Sequence, residues 1–293
     1  MAANVRRRVV LQMLGGAGVM SVPVGMWWYQ ARAHRKETQL AHSNKPLSLT
    51  QDTYDYLISE KCQAGDVILF DRRCERCVAS PWAALACLAA KNLLGGPCQY
   101  DHCGIVVPGY IKTKADRFDP TNLLLLEATP SGVVAFPLKQ RLEQSASHSI
   151  LLLQVCSPGE RRRDGEDNAS DAVERTLQFT QRELTSFRDQ WLRASEKQGY
   201  HYFHSTVTIG GAVAYALGLQ DLIDGPVSPA ALLVLSGLQK AGIAMNINDR
   251  ESRQTQVADF LKDYRLTDTN VVRLRPGYRF LPPITLKQGN TQF

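Results

Sequence analysis

The order of three short apolar runs constrains this chain more than anything else in it. Gly65-Asp66-Val67-Ile68-Leu69-Phe70 comes first, then Asp101-His102-Cys103-Gly104-Ile105-Val106-Val107, then Leu123-Leu124-Leu125-Leu126-Glu127-Ala128. Each is short, bounded by turn-forming residues and rich in branched side chains, which predicts a strand buried in a sheet. The second and third runs carry a polar residue set into the apolar sequence, His102 and Glu127. A histidine on one strand and a carboxylate on its neighbour are two of the three groups of a nucleophilic hydrolase site, the carboxylate orienting the imidazole that activates the nucleophile.

The pattern extends along most of the chain, over about residues 60 to 285. A turn and strand follow at Ala128-Thr129-Pro130-Ser131-Gly132-Val133-Val134, and a further buried strand is predicted at Ser149-Ile150-Leu151-Leu152-Leu153-Gln154-Val155. In this order the motifs resemble the permuted papain-like amidases, the circularly permuted branch of the NlpC-type cysteine hydrolases. The resemblance implies an α+β domain with an antiparallel sheet and flanking helices. It also implies a closing strand over Arg273–Pro283, with His102 as base, Glu127 as its orienting acid, and a cysteine opening a helix near the C-terminal end. The sequence has no cysteine after Cys156. Laying the family's Cys-Ser-x-x-Val on Ser205-Thr206-Val207-Thr208-Ile209 puts Ser205 in the nucleophile's place, at the start of a helix running to Leu219. A serine hydroxyl is a far poorer nucleophile than a thiolate. The plainer role for Ser205 is a helix N-cap, and for His102 a buried histidine held as scaffold.

Charge excludes one class of partner. The formal net charge of +6 is supplied by Arg6, Arg7, Arg8, Arg32, Arg35 and Lys36, because residues 1–36 hold no acid. The remainder is neutral, so it lacks the electrostatic footprint of a nucleic-acid binder. Between the two basic clusters, Val9 to Ala31 is an uncharged run of 23 residues, long enough for a bilayer core of about 30 Å. Trp27-Trp28-Tyr29 suits a membrane interface. Ala17, Ser21 and Gly25 recur every four residues and form a small-residue face against which another membrane helix can pack. The run is read as a retained single-pass anchor. A cleaved secretory signal ending near Ala31-Arg32-Ala33 and a mitochondrial presequence are the alternatives. The expected organisation is an anchor over 1–36, a polar linker over 37–52 and one domain over 53–293.

Seven cysteines, at 62, 74, 77, 87, 98, 103 and 156, do not make a complete disulfide framework. Cys74-Glu75-Arg76-Cys77 has ligand-pair spacing, but further ligands at a zinc-module spacing are lacking. The expectation is no metal and no cofactor. Cys103 adjoins His102 on a strand and is expected to point to the opposite sheet face. Helices are predicted over 53–60, 170–196 and 229–243, the second with Val173, Leu177, Thr180, Leu184, Phe187 and Trp191 on one stripe.

Two functions fit these readings. One is a catalytically degenerate, membrane-anchored accessory or structural subunit of a membrane protein complex. It would contact partner subunits through Ala17, Ser21 and Gly25 and touch membrane lipids, and the acid-free, arginine-bearing N-terminus suggests the mitochondrial inner membrane. The other is an active amidase, acyl hydrolase or acyltransferase, in which Ser205 attacks, His102 is the base and Glu127 orients it.

Overall fold

The computed structural model describes residues 54–71, 100–111, 119, 122–129, 132–145, 147–156, 169–198, 226–261 and 272–288, together with Met26 and Tyr29. The expected anchor over 9–31 lies outside them apart from Met26 and Tyr29, which are helical and exposed. Among the described residues no helix is long and apolar enough to cross a membrane. The linker over 37–52 and the 205–219 helix also lie outside the described residues.

A helix α1 (Tyr54–Lys61) leads into strand β1 (Val67–Asp71), followed by β2 (His102–Pro108), β3 (Leu123–Thr129) and β4 (Gly132–Pro137). Helix α2 (Leu138–Glu143) follows directly, then β5 (Ser149–Leu153) and the two-residue β6 (Val155–Cys156). The long helix α3 (Ala169–Gln198) and the shorter α4 (Pro229–Lys240) come next, then α5 (Asp249–Arg253), a single 3-10 turn at Val257–Phe260, β7 (Arg279–Phe280) and β8 (Ile284–Gln288). Six strands form one antiparallel sheet in the order β4-β3-β2-β1-β5-β8, and β6 pairs with β7. The protein is thus α+β, with helices on both faces of an antiparallel sheet.

Strand entry is set by the Gly65-Asp66 turn. Gly65 has φ +104, a left-handed conformation open to glycine at little cost. The fully buried Asp66 carboxylate accepts from the backbone N–H of Gln63 at 2.9 Å and of Val155 at 2.8 Å. It therefore ties the start of β1 to a strand 89 residues away. This aspartate secures the fold.

Side-chain alternation sorts the sheet into two cores. Val67, Leu69, Cys103, Ile105, Val107, Leu126 and Leu153 face α3 and α4, with Leu184, Phe187, Val234 and Leu238 packed against them. Ile68, Phe70, Val106, Leu125, Ile150 and Leu152 face the other way and are covered by Ile58 of α1 and by Leu138 and Leu142 of α2. On α3 the predicted stripe holds where side chains are described. Thr180, Leu184 and Phe187 are buried and Trp191 is packed on the core. Helix α4 starts where its residues dictate: Ser228 accepts from the Ala231 N–H at 3.3 Å, and Pro229 occupies the first turn.

The closing strand departs from expectation. Arg273–Pro283 contributes Leu274 to a single bridge with Ala244 and Arg279–Phe280 to a short ladder with β6, and the strand that completes the main sheet is β8, further on. Pro282 and Pro283 carry no N–H, so the chain leaves one ladder there and joins another beyond them.

Candidate functional site

His102 is the first residue of β2 and Glu127 the fifth of β3. The register places Gly104 opposite Glu127, so His102 and Glu127 are diagonal neighbours on one face. His102 Nε2 lies 2.8 Å from Glu127 Oε1, and both residues are buried, at 4% and 1% exposure. Gly104 makes this diagonal possible. A Cβ there would meet Glu127 Cγ at 2.9 Å and Leu125 Cδ1 at 3.0 Å, so only a residue without a side chain lets the glutamate lean across to the histidine. The physical content of the His-x-Gly spacing is therefore clearance.

A third residue completes the site. Arg141 of α2 donates from Nε to Glu127 Oε2 at 2.6 Å and from Nη2 to Oε1 at 3.0 Å, a two-point grip on the carboxylate. Its guanidinium lies 4.6 Å above the Phe70 ring centroid, and Phe70 in turn neighbours the His102 ring, centroid to centroid 5.8 Å. The sequence reading missed Arg141. The signal was present, because Leu138, Arg141 and Leu142 lie at i, i+3 and i+4 on one stripe of α2, and Leu138 and Leu142 are buried.

These contacts set the charge of the carboxylate. Burial pushes the Glu127 carboxyl up, but the charges of Arg141 and His102 and the hydrogen bonds from both outweigh it, bringing it down to about 2. Glu127 is therefore ionised at neutral pH and can only accept, so His102 Nε2 carries the hydrogen. In a neutral ring that leaves Nδ1 as the acceptor nitrogen.

Of the residues singled out in the sequence, His102 and Glu127 come together, whereas Ser205 lies outside the described residues. The described cysteines do not supply a thiolate at His102. Cys103 is fully buried on the opposite face, as alternation requires, and Cys156 is buried in β6. Cys62 follows α1 and packs on the core that holds Phe70. Burial, with a contribution from Asp66, pushes its thiol far up and keeps it protonated. Among the described residues no cluster of three or more His, Cys, Asp or Glu side chains is placed to hold a metal ion, while Cys74, Cys77, Cys87 and Cys98 lie outside them.

Comparison with protein-family models, with curated proteins and with solved structures gives no match. The site has to be read from its own chemistry.

Proposed function

We propose that this protein is a catalytically degenerate permuted papain-like domain. In this reading it serves as a membrane-anchored accessory or structural subunit of a membrane protein complex, placed by its N-terminus at the mitochondrial inner membrane. The observation that carries the reading is the grip of Arg141 on Glu127. In a working site the carboxylate's negative charge stabilises the imidazolium formed when the base takes the nucleophile's proton. Here that charge is already matched by a guanidinium at 2.6 and 3.0 Å. The carboxylate is thus divided between a permanent cation and the histidine, which leaves less of its charge to stabilise an imidazolium. The absence of cysteine after Cys156 fits the same reading. The small-residue face of Ala17, Ser21 and Gly25 supports contact with a partner helix.

A second reading, an active hydrolase using Ser205, is favoured by the 2.8 Å bond between His102 and Glu127. Covalent labelling separates the two. Purified protein is treated with fluorophosphonate and iodoacetamide probes and mapped by mass spectrometry. No selective labelling at residues 204 to 206 is expected, and labelling there that disappears in His102→Ala overturns the degenerate reading. Co-migration with other membrane proteins in a mild detergent is expected as well, and migration as an isolated chain would remove the subunit role.

A further inference from the structure

We propose that the outer surface where α3 meets the end of α4 is a membrane-resting face, on which Phe179 and Met245 enter the headgroup region of an anionic bilayer while Arg182 and Arg275 bind its lipid phosphates. This goes beyond the subunit reading above and takes from it only that a bilayer is at hand.

The face forms where two segments cross the C-terminal end of α4. Ala244 bridges Leu274. The Met245 N–H donates to the Arg273 carbonyl at 2.7 Å, and the Arg275 N–H to the Ile243 carbonyl at 2.9 Å. Ala244 is fully buried and Leu274 packs on the core, whereas Met245, Arg273 and Arg275 are exposed. A Cβ on Gly242 would lie 3.5 Å from Phe179 Cε1 and 3.9 Å from Arg275 Nη1, so the phenylalanine ring and the guanidinium meet over the glycine. Phe179 is 54% exposed and Met245 45%. The exposed Arg182 follows Phe179 at i+3, on the same face of α3.

Charge decides what such a surface takes. Segments 239–248 and 272–283 contain Lys240, Arg273, Arg275 and Arg279 and no acid, although the chain beyond residue 36 is neutral as a whole. Among the described side chains of α3 the acids are Glu183 and Asp189, paired with Lys240 at 3.6 Å and with Arg188 at 2.9 Å. Two large apolar side chains are too few for the core of a stable protein interface, which buries about 800 Å² on each partner. A bilayer asks for less. Anionic headgroups strengthen attachment about fivefold for each nearby arginine, and an aromatic ring and a thioether can then enter the boundary between headgroups and acyl chains. The polar linker expected over 37–52 spans about 50 Å when extended, so a domain tethered by the expected anchor can lay this face on the same bilayer. The face belongs to the helical layer across the sheet from His102 and Arg141, so altering it leaves that site as it is.

Photocrosslinking tests it. The full chain, with p-benzoylphenylalanine in place of Phe179, is reconstituted into phosphatidylcholine vesicles with or without phosphatidylglycerol, irradiated, and read by mass spectrometry. A lipid adduct is expected in the anionic vesicles. It should fall at least about fivefold in neutral vesicles, in about 0.5 M salt, and in Arg275→Glu. Circular dichroism checks the fold of the variant, and the neutral-vesicle and salt comparisons need no charge variant. A crosslink to a protein, the absence of an adduct, or a lipid adduct indifferent to vesicle charge, salt and Arg275 overturns the proposal. Extraction of the vesicles at high pH separates this from the functional reading. A chain stripped from them has no retained anchor, whatever residue 179 reaches, and a chain that stays without the lipid adduct keeps the anchor and loses this face.

Discussion

Replacing Glu127 by glutamine should change the pH dependence of stability more tellingly than it changes stability itself. The Glu127 carboxyl falls from an ordinary 4.5 to about 2 in the folded protein, with burial opposed and outweighed by Arg141 and His102. At about 1.4 kcal/mol per pH unit, that difference contributes about 3 kcal/mol to folding at neutral pH. Because the folded value is the lower one, the contribution is complete above about pH 5 and is lost as pH falls toward 2, with about 2 kcal/mol of it gone by pH 3. Glutamine removes the charge while keeping the shape. It also leaves Arg141 without its counter-charge, a cost nearly independent of pH over this range because arginine stays protonated throughout. Urea unfolding of both proteins at pH 7, 5, 4 and 3 gives the comparison. The native protein should lead by about 3 kcal/mol or more at pH 7 and 5, and the gap should narrow by about 2 kcal/mol at pH 3. A gap that stays flat from pH 7 to pH 3 would show that Glu127 is not held ionised by Arg141, and would refute the charge balance on which the site has been read.

Two further substitutions test how the site and the fold are held. Gly104→Ala should lower stability by about 1–3 kcal/mol, because its Cβ would fall 2.9 Å from Glu127 Cγ and the glutamate would have to move off its diagonal; thermal unfolding measures it, and an unchanged melting temperature would show that clearance is not the reason for the glycine. Asp66→Ala leaves the part-buried N–H of Gln63 and the buried N–H of Val155 without their acceptor, at about 2–4 kcal/mol for the pair. Hydrogen exchange at both amides should accelerate while the His102 tautomer stays as it is, and unchanged exchange would remove the stapling role.

The strands were legible because their signal is local. An apolar run bounded by turn residues specifies a buried strand wherever its partners lie, and β1, β2, β3 and β5 begin and end within a residue or two of expectation. Alternation is equally local, so Cys103 was assignable to the face opposite His102 from adjacency alone. The 170–196 helix was legible for the same reason, its repeat being a property of one segment, and it runs Ala169–Gln198. The clearance at Gly104 was present in the sequence as a spacing, but its purpose appeared only when the β2–β3 register set the glycine opposite Glu127.

Other features depended on parts of the chain far apart in sequence. That β1 lies between β2 and β5, and that β8 closes the sheet after Pro282 and Pro283, follows from which backbone groups find partners, and no periodicity encodes that choice. The Asp66 contact with Val155 and the grip of Arg141 on Glu127 are of the same kind. By itself the sequence determined the strands, their inward faces, a histidine and a glutamate placed to meet, and the absence of cysteine after Cys156. Tertiary structure decided the charge of that meeting, because an arginine on the inner stripe of α2 acts on Glu127 only once sheet pairing has laid the helix over the face where the carboxylate is buried.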